Sequence, residues 1–68
     1  MQRLIIPAAG IKHGDIILTA DPREPSCVYA DVVVYTYGDY GWTYAATDTD
    51  RFRFAEDQNV TVLRGVKL

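Results

Sequence analysis

The chain has 68 residues, a net charge of −2 and an apolar fraction of 49%. That size fits one domain with a thin core, and that apolar fraction excludes a disordered chain. Cys27 is the only cysteine, which excludes an internal disulfide and a thiolate zinc cluster and points to a reducing compartment. The acidic balance argues against non-specific nucleic-acid binding, which needs Lys and Arg to neutralise phosphates.

In chain order, residues 4–6 read as a short extended piece ended by Pro7. Only three apolar residues precede that proline, so no signal peptide is expected, and no stretch approaches the about 20 apolar residues of a membrane span. Gly14 and Asp15 supply a turn into a strand at 16–19, and Ile11 is placed to fold back over one end of the core. Residues 21–26 form a loop stiffened by Pro22 and Pro25. One long strand is expected over 27–37, opened by Cys27 as a small buried filler. The chain returns over 42–48, then runs through strands at 50–55 and 59–63, which residues 66–68 extend. Ala55-Glu56-Asp57-Gln58 has the composition of a single helical turn. About five strands with hairpin-like turns predict an all-β fold, a small five-stranded antiparallel barrel in one domain spanning 1–68.

Five of the eight aromatic residues fall in the segment Tyr35-Thr36-Tyr37-Gly38-Asp39-Tyr40-Gly41-Trp42-Thr43-Tyr44. A two-residue loop at Asp39-Tyr40 pairs Tyr37 with Trp42, Tyr35 with Tyr44, Val33 with Ala46 and Asp31 with Asp48. A second two-residue loop at Thr49-Asp50 sets Phe52 beside Thr47, Phe54 beside Ala45, Arg51 beside Asp48 and Arg53 beside Ala46. One face then holds Val28, Val32, Val34, Ala45, Phe52 and Phe54 with no charge, so it is the expected core. The other face holds Tyr29, Asp31, Tyr35, Tyr37, Trp42, Tyr44, Asp48, Arg51 and Arg53, and looks outward. Tyr, Trp and Arg are the residues enriched at interfaces. That face is a partner-binding surface, a self-association surface, or a coating covered by the N-terminal segment or the proline loop.

Chemistry-bearing patterns are absent. His13 stands alone in a turn, so no Ser-His-Asp or Cys-His arrangement is available, and the carboxylates are scattered through loops. Asp48-Thr49-Asp50 lacks the glycine and glutamate of a calcium loop, and the five glycines form no phosphate cradle. The expectation is no enzyme, no cofactor and no metal. Exposed aromatics beside arginines are also how small barrels stack single-stranded bases. A single-stranded nucleic-acid-binding barrel is therefore the alternative, although the basic residues are dispersed.

The segment Ile11-Lys12-His13-Gly14-Asp15-Ile16-Ile17-Leu18 is similar to the turn that leads SH3-like small barrels into their first strand. A long irregular loop, three hairpin-linked strands and a short helical turn at Glu56-Asp57 before Val60-Thr61-Val62 continue the likeness over most of the chain. The acidic-aromatic motif of peptide-binding SH3 domains is missing, so a polyproline groove is not implied. In length, in aliphatic-aromatic style and in its two lysines the chain also looks like short accessory proteins of actinobacterial phages. That likeness implies a protein that binds and modulates a host or phage protein; a cytoplasmic location is expected from the missing signal and span, and self-association through the outer face is a close second. The expected partner-binding residues are Tyr35, Tyr37, Trp42, Tyr44, Arg51 and Arg53, with no membrane partner.

Overall fold

The computed structural model describes residues 2–65; the expected extension of the last strand at 66–68 lies outside them. Strands β1 (Gln2–Pro7), β2 (Ile16–Ala20), β3 (Val28–Val32), β4 (Tyr35–Asp39), β5 (Trp42–Ala46), β6 (Arg51–Ala55) and β7 (Asn59–Arg64) form, with one 3₁₀ turn at Ala8–Gly10. They build two antiparallel sheets, ordered β1-β7-β2-β3 and β4-β5-β6. The all-β expectation holds, but the five-stranded closed barrel does not: the described residues form seven strands in two sheets.

Two local causes raise the strand count. The first is β1, which pairs with β7 over all six of its residues. The second is a break in the long segment 27–37. Val33 N–H donates to the Asp15 carbonyl at 2.8 Å and its own carbonyl accepts from Gly14 N–H at 2.8 Å, tying it to the first sheet. The next residue, Val34, donates instead to the Ala46 carbonyl of β5 at 2.8 Å. Backbone hydrogen bonding thus changes sheets between two consecutive residues, which splits the expected strand into β3 and β4.

That break also resets the inside-outside alternation. Val33 is completely buried, whereas Val34 and Val28 are exposed and Val32 is half-buried. Of the expected core face, only Ala45 is fully buried; Phe54 packs against the core half-exposed, and Phe52 is half-buried. The core is instead Ala8, Ile11, Ile17, Val33, Ala45, Val60 and Val62, with Leu4 and Ile6 packed beside it. Ile11 closes one end of it as expected. Cys27 is exposed, not buried, because it ends the proline loop, where its N–H donates to the Glu24 carbonyl at 2.8 Å.

The 55–58 segment makes a reverse turn, closed by Gln58 N–H donating to the Ala55 carbonyl at 2.9 Å, and no helix forms there. Ala8 N–H and Ala9 N–H donate to the carbonyls of Gln58 and Glu56, at 2.8 and 3.0 Å. These bonds fix the 3₁₀ turn against the connection that leads into β7.

The first turn hides the best-organised polar group. Asp15 is buried, and its carboxylate accepts from Lys12 N–H at 2.9 Å and from Arg64 Nε and Nη2 at 2.9 and 2.8 Å. Arg64 Nη2 also donates to the Gly10 carbonyl at 2.9 Å. The guanidinium beside Asp15 holds its carboxyl below the usual carboxylate value, against the opposing effect of burial. One ion pair therefore links the turn at 10–15 to the end of β7.

Candidate functional site: the outer face of the aromatic hairpin

The β4–β5 hairpin turns at Tyr40-Gly41, one residue later than expected. Both residues have positive φ, 47° and 81°, as a type I′ turn requires to match the strand twist. Tyr37 consequently pairs with Tyr44 and Tyr35 with Ala46, while Trp42 pairs with Asp39. The expected pairs Tyr37 with Trp42 and Tyr35 with Tyr44 do not form. Neither does Asp31 with Asp48, since Asp31 pairs with Ile17 in the other sheet.

The next loop shows the same slip. It holds four residues, 47–50, because Thr47 N–H donates to the Asp50 carbonyl at 2.8 Å and Asp50 N–H to Thr47 Oγ1 at 3.1 Å. Arg53 then pairs with Tyr44, Arg51 with Ala46, Phe52 with Ala45 and Phe54 with Thr43. In both hairpins each residue meets a partner two positions from the expected one. Strand side chains alternate with period two, so a two-residue slip leaves every side chain on the same face. The face assignment for β4, β5 and β6 stands although every pairing in it changed.

The outer face brings together all six expected residues. The rings of Tyr37 and Tyr44 stack across the strands at 4.7 Å and 8°, and Tyr35 lies beside Tyr37 at 6.2 Å and 17°. Each close aromatic pair contributes about 0.5–1.5 kcal/mol beyond its buried area. The Arg53 guanidinium sits 4.3 Å from the centre of the Trp42 ring. At an exposed site that contact is worth about 0.5–1 kcal/mol, and it holds the cation in one place. Tyr35, Tyr37 and Trp42 remain 40–48% exposed, and Arg51 and Arg53 are exposed. Among the described residues, therefore, neither 2–7 nor the proline loop buries these side chains.

The hairpin tip adds residues that the sequence did not single out. Tyr40, at the turn, is 96% exposed. Around the tip, Tyr37, Gly38, Trp42 and Thr43 with Ala9 and Glu56 line an open cleft of about 610 Å³. Ala9 and Glu56 arrive there through the hydrogen bond between the 3₁₀ turn and the β6–β7 connection. No local signal marks that contact, because the two residues lie far apart in the chain.

Charge on the outer face is sparse and mixed, with Arg51 and Arg53 against Asp39 at the tip. No group of three or more His, Cys, Asp or Glu side chains converges on one point among the described residues, nor is any helix there long and apolar enough to cross a membrane. The arrangement offers stacking surfaces, hydroxyls and fixed cations. No family model, curated protein or solved structure matches this chain.

Proposed function

We propose that the chain is a non-enzymatic protein-interaction module that uses the outer hairpin face to contact its partner. The observation that carries this reading is the Arg53–Trp42 contact beside the Tyr37–Tyr44 stack, held on a solvent-facing sheet. Cross-strand stacking limits the rotamers of these side chains, so little entropy is lost when a partner orders them. Tyr, Trp and Arg are also the residues over-represented at binding hot spots. The cleft around the hairpin tip gives a partner side chain a place to enter beside that platform.

The resemblance to SH3-like proteins belongs to the same proposal. It is supported by the extended segment that bends between sheets at Val33 and Val34, and by β7 returning beside β2 after a short turn. In the style of a phage accessory factor, the module acts in the host cytoplasm by occupying a host or phage protein. Affinity capture from the native host lysate, with wild type and Tyr37→Ala side by side, tests the reading. A protein retained by the wild type and lost with the folded variant supports it; equal retention by both overturns the assignment of the face.

The same aromatic-arginine platform fits stacked bases, which keeps single-stranded nucleic acid as a second reading. A salt titration against generic oligonucleotides separates the two. Affinity that falls steeply with salt favours nucleic acid, and no binding at low salt removes it.

A further inference from the structure

The outward side of the four-stranded sheet is almost free of charge. One row across it runs Arg3, Leu63, Ile16, Val32, and the next runs Ile5, Thr61, Leu18, Ala30. Ala20 and Val28 pair beyond them at the end of β2 and β3. The intervening Ile17 and Val62 are fully buried in the core, so pleating sends these rows to the opposite side. Ile5 is 72% and Val28 58% exposed. Arg3 is the only charge in the two rows, and it lies on the edge strand β1, where it stays hydrated at the rim.

We propose that this face is the interface of a symmetric dimer, covered by a second copy of the chain. The core supplies the first argument. Its largest completely buried side chains are only Ile17, Val33 and Val62, and the sole cysteine is free. A domain this small, with no second cysteine and no metal-binding cluster among the described residues, gains burial by pairing. Area is the second argument. Four strands at about 4.8 Å spacing and five or six residues at about 3.3 Å give a face about 19 Å by 18 Å. The plane covers about 340 Å², and the relief of the side chains brings the buried area to the order of 500 Å² per copy and 1,000 Å² in total, at the threshold of a specific interface. The third is complementarity: a partner recognised by charge finds little here, whereas an uncharged sheet stacks on its own copy without like-charge repulsion.

The dimer leaves both aromatic hairpin faces outside, since these belong to the other sheet, across the core. Two binding faces per particle then allow bivalent engagement of a partner. This proposal does not depend on what the hairpin face binds.

Sedimentation and light scattering over about 5–500 µM test it, the range a marginal interface of this area calls for. The wild type is expected to reach twice the 7.6 kDa chain mass with rising concentration. Ile5→Lys and Val28→Lys, at exposed edge-strand positions, are expected to stay monomeric with unchanged circular dichroism; Tyr37→Ala is expected to dimerise like the wild type. Dilution of the methyl-labelled wild type supplies a readout that needs no variant. The Ile5, Leu18 and Leu63 methyl resonances are expected to move together, and those of Val33 to stay. A wild type monomeric throughout overturns the proposal and leaves the face to a different macromolecule. A dimer broken by Tyr37→Ala and not by the lysines also overturns it, as do concentration-dependent shifts confined to the hairpin.

Discussion

Asp15→Ala removes a buried side chain that takes part in three hydrogen bonds. It deletes three hydrogen bonds to a carboxylate, one from Lys12 N–H and two from Arg64, at 2.8 to 2.9 Å. Hydrogen bonds to charged groups contribute about 1.5–3 kcal/mol each when counted singly. They do not add here, because the Arg64 side chain is 31% exposed and regains water. Asp15 itself is 2% exposed, so the site loses a buried carboxylate with all its partners, and a net loss of about 3 kcal/mol is expected. A domain of this size is stable by only about 3–10 kcal/mol, so the loss is a large fraction of the total. Urea unfolding followed by circular dichroism measures it. The pH dependence gives a sharper criterion. The Asp15 carboxyl titrates below its ordinary value of 3.8 in the folded chain, principally because Arg64 hydrogen-bonds it. Its stabilising contribution is therefore complete above that ordinary value and disappears as pH falls through the depressed one. The gap between wild type and Asp15→Asn should be full at pH 6 and should narrow progressively below about pH 4. A loss under about 1 kcal/mol at neutral pH, or a gap unchanged in acid, refutes the account of this pair.

Val33→Asp should abolish folding, whereas Val34→Asp, one residue later and exposed, should give a folded chain by circular dichroism. Phe54→Ala should cost about 2–3 kcal/mol in urea melts, less than a fully buried phenylalanine, because its ring packs on the core half-exposed. Tyr37→Ala, which loses two ring stacks at an exposed site, should cost about 1–2 kcal/mol in the same melts, and equal damage from the two refutes the division of faces. Gly41→Ala forces a side chain into φ 81° and should lower stability by about 1–2 kcal/mol; Tyr40→Asn, at φ 47°, should raise it by a few tenths to about 1 kcal/mol.

The strand-rich composition and close turn signals made the all-β class legible, and the contrast between charged and apolar alternation made the hairpin faces legible. The faces survived because the pairing in both hairpins slipped by an even number of residues. The precise turns were not legible: Asp39-Tyr40 and Tyr40-Gly41 are both plausible by residue type, and the positive φ of Tyr40 is settled by strand twist. The break at Val33 was hidden because 32–34 is a run of three valines, which carries no alternation to lose. What bends the chain there is the Gly14-Asp15 backbone, distant in sequence. The Asp15–Arg64 pair was equally hidden, since its members lie 49 residues apart and each reads locally as an ordinary surface charge. The apolar outer rows of the first sheet were missed for a related reason. Runs such as Ile16-Ile17-Leu18 are apolar on both sides, and only the pairing of β2 with β3 and β7 shows which members face away from the core.

The central claim is that the outer hairpin face meets the partner, and photocrosslinking in the cell that makes the protein tests it most directly. A benzophenone side chain is placed at Tyr35, at Tyr29 or at Ile5, all exposed. Tyr35 pairs with Ala46 in the three-stranded sheet, whereas Tyr29, expected on the same face, pairs with Thr19 in the four-stranded sheet, on the side opposite Ile5. The account predicts one discrete adduct with a different protein from the Tyr35 probe. That adduct should disappear when Arg53→Ala is combined with the probe, and the Tyr29 probe should not give it. A hairpin probe that captures no protein, or the same partner captured from Tyr29 and not from Tyr35, contradicts the account.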